Sequence, residues 1–328
     1  VVGAPGVEAV SELEAFLGRW PVFSDAPMQR AASQALRKYF SSARAEEIRP
    51  ALRASFAGIS QRADGRRLVA TFAQPVSEAM LSRLLRLPAD EVDQLRAMTA
   101  PTITYLSNDG QDVRLARAAL DRIEELEKWL TVRGRDGNDW LLNELKTAGV
   151  ELTSRELAAV YMQIVTGALD PTSNALIGAL KFTKHAPQAR ELVAAEDFAG
   201  LVGLCLSRDT GFHFAPRRSQ CPMNFHGHGI GAGERVVGVV AWGAMVEAEN
   251  GVHTPSGPGT PQSTGTSLAF GHGRHFCLGA SIAQVTLEEA LRSLLTHRDP
   301  AGLDVDSAVR IPALGASVYQ DDPSYPEQ

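Results

Sequence analysis

Residues 268–284 read LAFGHGRHFCLGASIAQ. Gly271, Gly273 and Gly279 surround a single thiol, Cys277. Behind it Ile282, Val285, Leu291, Leu294 and Leu295 recur at helical spacing, so the thiol stands just ahead of a helix. A sulfur there faces the positive end of the helix dipole and unpaired backbone N–H groups, and both favour the thiolate. Gly271 and Gly273 let the approaching chain fold back so that amides can point at the sulfur, and Gly279 lets it turn into the helix. Such a thiolate serves as a nucleophile or a metal ligand. No second cysteine stands at zinc spacing, which argues against a closed zinc site. One thiolate in an amide-lined loop suits axial ligation of haem iron, its electron donation tuned by the amides.

The remainder of the chain sets the frame. Its 328 residues are 44% hydrophobic and 21% charged, enough to bury a sizeable core. A net charge of −6, no long basic cluster and few aromatics argue against nucleic-acid binding. No apolar run is long enough to cross a bilayer, and the N-terminus lacks the basic start and apolar stretch of a secretory signal, so a cytoplasmic protein with no membrane association is expected. The chain begins Val1-Val2, which suggests a processed, trimmed or unobserved start. The other two cysteines make no disulfide framework: Cys205 lies in the apolar LVGLCLS, and Cys221 precedes Pro222 in a turn.

Most segments read as helix. Residues 27–43 and 46–63 have helix-period apolar positions. Residues 76–100 read as a helix, a Leu-Pro turn and a second helix from about Asp90. A long amphipathic helix over 112–134 follows, with acids facing bases as a solvated face, and then a shorter one with Asn138 as N-cap and Gly149 as stop. Thr153 and Glu156 form a capping box ahead of the longest helix, from about Ser154 to Thr183. Asp170 and Pro171 interrupt it, an expensive place for a charge and an imino acid. Strand signals are few: a glycine-rich turn and the run Val236 to Val240 read as a hairpin. The Pro/Gly/Ser/Thr-rich residues 250–267 read as a loop. There is no repeat and no linker between two cores, so one mainly α domain across 1–328 with a minor β part is expected.

The pattern Phe270-Gly271-x-Gly273-x-His275-x-Cys277-x-Gly279, followed by Ala280 and Ala283, resembles the haem-binding signature of the cytochrome P-450 superfamily, the haem-thiolate monooxygenases. Residues 22–41, 152–180 and 214–240 resemble the bacterial members' haem-edge helix, long oxygen-activating helix and strand-and-hairpin region. The resemblance implies haem b lying between the long central helix and the cysteine loop, with Cys277 as the iron ligand. Phe270 would pack beside the sulfur, and His275 and Arg217 would meet the propionates, with Arg218 as the alternative to Arg217. Arg274 has no assigned role.

The sequence departs from that pattern in four places. The helix that should supply a Glu-x-x-Arg pair has Leu204 and Ser207 at those positions; a one-residue shift gives Cys205 and Arg208, still without the acid. The loop around Pro255 to Gly265 replaces the segment that normally brings a further arginine, so that buried charge network is missing as a whole. Gln29 and Ser33 stand where a His and an Arg usually bind propionate, and the family's N-terminal segment has little room before Trp20. The central helix reads Gly167-Ala168-Leu169-Asp170-Pro171-Thr172, so the acid survives while the first threonine, which normally helps deliver protons during oxygen activation, is a proline. Asp170 then either relays protons through water or caps the broken turn, and Thr172 is a substitute hydroxyl if a kink rotates it inward. His226 and His228 form either a metal pair or an ordinary surface turn.

Three functions are compatible with this reading. The first is a monooxygenase or oxidase of a small organic molecule, a secondary metabolite for instance, reduced by a ferredoxin-type partner. The second is haem-thiolate chemistry outside the O₂ cycle: peroxide-driven oxidation, isomerisation, dehydration or cyclisation. The third is a non-catalytic relative acting as a protein partner.

Overall fold

The computed structural model describes residues 7–24, 27–108, 112–137, 139–240, 242–243, 245–246, 268–311 and 318–322. Eleven helices are delimited among them: α1 (Val7–Leu17), α2 (Pro27–Leu36), α3 (Ser42–Arg62), α4 (Gln74–Leu85), α5 (Ala89–Ser107), α6 (Val113–Arg135), α7 (Trp140–Thr147), α8 (Ser154–His185), α9 (Pro187–Ala194), α10 (Phe198–Arg208) and α11 (Ala280–Leu295). The strands are β1 (Phe214–Arg218), β2 (Met223–Phe225), β3 (His228–Ile230), β4 (Arg235–Val239), β5 (Val309–Ile311) and β6 (Val318–Gln320), paired antiparallel as β1–β4, β2–β3 and β5–β6. No described helix is long and apolar enough to cross a membrane.

The long helix α8 is the axle of the fold. Its start is fixed by the expected capping box: the Thr153 hydroxyl accepts from Glu156 N–H while the Glu156 carboxylate accepts from Thr153 N–H. Its middle is buried nearly all round, from Leu157 to Leu180, because α4, α5, α6, α10 and α11 all pack on it. Helix α3 packs along α11, so the helix behind the cysteine loop is held among α3, α8 and α10. One hydrophobic cluster, running from Leu13 to Tyr319, joins these elements.

Three expectations change. The first long helix stops at Leu36, and a new one starts at Ser42 because the Ser41 hydroxyl caps it by accepting from Arg44 N–H. Asp139, not Asn138, caps α7, accepting from Leu142 N–H. Asn138 itself lies outside the described residues, while Gly149 does end this segment in a left-handed conformation. The single hairpin becomes two ribbons: His226 and Gly227, both at positive φ, turn β2 into β3, whereas Val236–Val239 pair with Phe214–Arg218 upstream. The loop at 250–267 lies outside the described residues.

Candidate active site

The cysteine loop is closed by its own backbone. Cys277 N–H donates to Phe270 C=O at 2.8 Å and Phe276 N–H to Gly273 C=O at 3.1 Å, pinning both ends of the turn. Gly271 and Gly273 sit at φ +75° and +70°, a region where a side chain would be strained, so these two positions require glycine. The Phe270 and Phe276 rings lie 6.4 Å apart in a tilted arrangement beside the turn. The Phe40 ring closes the loop from the α2 side, against Gly279.

Of the loop's amides, that of Gly279 reaches the sulfur. Gly271 N–H is spent on Leu268 C=O instead. Burial pushes the Cys277 thiol up, and the Gly279 N–H partly opposes this. The residue is exposed and stands three residues ahead of α11. A bound metal cation reverses the balance by deprotonating a coordinating thiol outright.

On α8, Gly167 is exposed although Val165 and Leu169 beside it are buried, and a Cβ there would meet nothing within 4 Å. Among the described residues, the helix is open on this side. The donor chemistry fits a haem: one accessible sulfur receives an N–H, and Gly167 presents no side chain on α8. Helical conformation continues through Asp170, Pro171 and Thr172. Pro171 supplies no N–H to the Gly167 carbonyl. Asp170 caps nothing, since it makes no hydrogen bond or ion pair among the described residues. Burial raises its carboxyl pKa and the positive charge of Arg96 opposes that rise. Arg96 is itself bound to Glu78 of α4 at 2.5 Å. Thr172 is buried.

Arg217 lies exposed on β1, opposite Val236 of β4, and His275 is half-buried in the turn before the cysteine. On α10 the position expected to be acidic, Leu204, offers only its carbonyl, which accepts from the Ser207 hydroxyl at 2.7 Å. Cys205 beside it is a core thiol pushed up to about 12 by burial. His226 and His228 are exposed in the turn of the β2–β3 ribbon, and no group of three metal-binding side chains occurs among the described residues.

Sequence reading missed a charge cluster behind the cysteine helix. Glu289 of α11 has no exposed side-chain surface, accepts two bonds from Arg53 at 2.7 and 2.9 Å and one from Arg49 at 2.9 Å. Arg49 also reaches Glu46 and Glu288. Glu288 and Glu289 were visible as adjacent acids on a helix, but their partners lie more than two hundred residues upstream.

No protein-family model matches the chain. Curated relatives do. Cytochrome P450 FAS1 of Rhodococcoides fascians is 26% identical over 257 residues, covering 77% of this chain and 63% of that protein. Cytochrome P450 monooxygenase PikC of Streptomyces venezuelae is 27% identical over 314 residues, covering 90% and 73%. Nocardicin C N-oxygenase of Nocardia uniformis subsp. tsuyamanensis is 26% identical over 289 residues, covering 83% and 70%. The chain thus spans 63 to 73% of the length of these relatives. Among solved structures, CalO2 superposes with a TM-score of 0.79 at 17% identity, over 96% of this chain and 83% of that one. P450BioI, solved in complex with an acyl carrier protein carrying hexadec-9Z-enoic acid, gives 0.75 at 18% identity, over 97% and 83%. The helical fold around α8, the glycine turn that presents Cys277 and these relatives agree with one another: the chain has the fold of the solved cytochrome P450 structures and resembles bacterial cytochrome P450s in sequence at 26–27% identity.

Proposed function

We propose that the chain is a haem-thiolate monooxygenase that oxidises a small organic molecule, acts as one catalytic unit across residues 1–328, and takes electrons from a ferredoxin-type partner in the cytoplasm. The observation that carries this reading is Cys277: an accessible sulfur in a glycine turn, receiving the Gly279 N–H, at the head of a helix packed on α8. The relatives PikC and nocardicin C N-oxygenase are named as a monooxygenase and an N-oxygenase, which points to the same class of chemistry.

Haem b held by a thiolate supplies the oxygen activation. Cys277 holds it, with Phe270 beside the sulfur and Gly271, Gly273 and Gly279 shaping the turn. Arg217 and His275 take its acidic groups. Gly167 leaves room on the α8 side. Asp170 is the proton donor: burial holds its carboxyl protonated to higher pH than an exposed one, Arg96 keeps that rise in check, and no hydrogen bond from the described residues ties it down. Pro171 offers no hydroxyl and Thr172 is buried, so the proton leaves from an Asp170 Oδ, passed on by water or by a group of the substrate itself.

The lost hydroxyl at Pro171 also favours a second reading, peroxide-driven oxidation. Product formed with NADPH and redox partners, compared with product formed with hydrogen peroxide alone, separates the two. Turnover only with the partners supports the first reading; equal turnover with peroxide places the second ahead.

A further inference from the structure

The turn of α8 at Pro171 is its weakest point, because glycine and proline both lower helix stability and proline removes a backbone hydrogen bond. Three contacts converge on this turn and the two that follow. First, a Cβ on Gly211 would lie 2.6 Å from the Pro171 carbonyl oxygen, so the link between α10 and β1 rests backbone on backbone against the break. Second, the buried Asn174 side chain donates to Gly211 C=O at 3.5 Å and accepts from the Tyr319 N–H of β6 at 3.0 Å. Third, the Asp209 carboxylate lies on Gly178, where a Cβ would come within 2.5 Å of Oδ2.

That carboxylate is gripped from two sides. Its Oδ1 lies 2.8 Å from His213 Nε2, and its Oδ2 accepts from the Tyr319 hydroxyl at 3.2 Å. Tyr319 thus reaches both anchors, Asn174 through its N–H and Asp209 through its hydroxyl. Its ring is buried, with the Lys181 ammonium 5.1 Å from the centroid. Between the anchors the Thr210 hydroxyl donates to Phe212 C=O, which braces the link so that it moves as a unit.

We propose that Asp209, clasped by His213 and Tyr319, is a positioning residue: it holds the 209–213 link on the Pro171 carbonyl and so fixes the turn that carries Asp170. The inference rests on the reading of Asp170 as proton donor. Two glycines at the contact points carry it, because at Gly178 and Gly211 a side chain would collide with the clasped carboxylate or with the turn itself. The two partners of the carboxylate, His213 and Tyr319, come from different elements, the 209–213 link and strand β6.

The test uses the haem-loaded enzyme and three readouts: amide hydrogen exchange, melting temperature and product formed per electron consumed. Tyr319→Phe and Asp209→Asn each remove a grip and keep the shape. Both should speed exchange in residues 209–214 and 172–176 about tenfold, the effect of one lost hydrogen bond, and lower product per electron. Melting temperature should stay near the parent value. Gly211→Ala should reproduce this by pushing the link off Pro171. His213→Ala should behave likewise, and His213→Gln, which keeps a polar partner for Asp209, should recover most of the loss. Parent-like exchange in Tyr319→Phe, Asp209→Asn and Gly211→Ala together overturns the clasp. Faster exchange with unchanged product per electron overturns its positioning role. Asp170→Asn is the control: it should leave exchange in 209–214 unchanged, so a failure of the proton-donor reading shows in its turnover alone, and the exchange data still judge the clasp.

Discussion

The cysteine loop and the Asp170–Pro171 turn of α8 form two sides of the proposed site, and they have fared differently. The loop keeps each residue of the expected pattern, in a backbone that demands glycine at φ +75° and +70°. The α8 turn keeps its acid and its open Gly167 but has exchanged a hydroxyl for a ring. Holding a metal leaves no substitute for one sulfur at one place. Moving a proton does, because water, a neighbouring carboxylate or a substrate group can each carry it.

The largest effect should come from the loop side. Cys277→Ala should abolish the red-shifted band that reduced thiolate-ligated haem shows under carbon monoxide. An unchanged spectrum would remove Cys277 as the ligand. On the other side, Asp170→Asn should slow partner-driven turnover by about 10²–10⁴-fold with haem retained, as for loss of a positioned proton donor. Pro171→Thr should raise product per electron. No change in either variant breaks the comparison, since α8 would then take no part in proton transfer.

A smaller effect is expected at the rim. With Gln29, Ser33, Leu204 and Ser207 in place of charged groups, Arg217 and His275 would carry a greater share of haem retention in the proposed site. Arg217→Ala and His275→Ala should each speed haem loss to apomyoglobin roughly 10- to 100-fold, the worth of a charge-assisted hydrogen bond. Parent-like loss rates in both would show that packing alone holds the group.

The smallest effect concerns Glu289. Burial pushes its carboxyl up, but the hydrogen bonds from Arg53 and Arg49 outweigh that and leave its pKa below the ordinary value. Its contribution to stability is therefore complete above the unfolded carboxyl range, near pH 4.3, and fades as pH falls through the lower folded value. Glu289→Ala should cost about 2 kcal/mol in urea unfolding at neutral pH, less than a fully buried pair because Arg53 is more than half exposed. The difference from the parent should shrink below pH 4. A pH-independent difference would mean that Glu289 acts by packing.

What could be read from sequence follows the range of the interactions. The α8 capping box, the loop glycines and the helix behind Cys277 are local, and they were legible. Asn138 and Asp139 are equally good caps on their own; the choice is made by Tyr161, whose hydroxyl donates to both Asp139 oxygens at 2.8 Å from the next helix. The Val236 run looked like half of a hairpin because its partner, Phe214–Arg218, lies beyond a second ribbon that closes on itself. Glu289 with Arg49 and Arg53, and Asp209 with Tyr319, join residues more than a hundred apart, and no local pattern marks them.

The three sulfurs differ in reach: Cys205 is buried and pushed up to about 12, whereas Cys221 and Cys277 are exposed. With Cys277 as the proposed haem ligand, the protein would carry its own gauge of loading. In the native state a maleimide should label Cys221 always, Cys205 never, and Cys277 only in molecules without haem. Intact mass after brief labelling then counts empty molecules one by one: two adducts on an empty chain, one on a loaded chain. That count needs no absorbance, so it can follow haem uptake in unpurified extracts where the visible spectrum is masked.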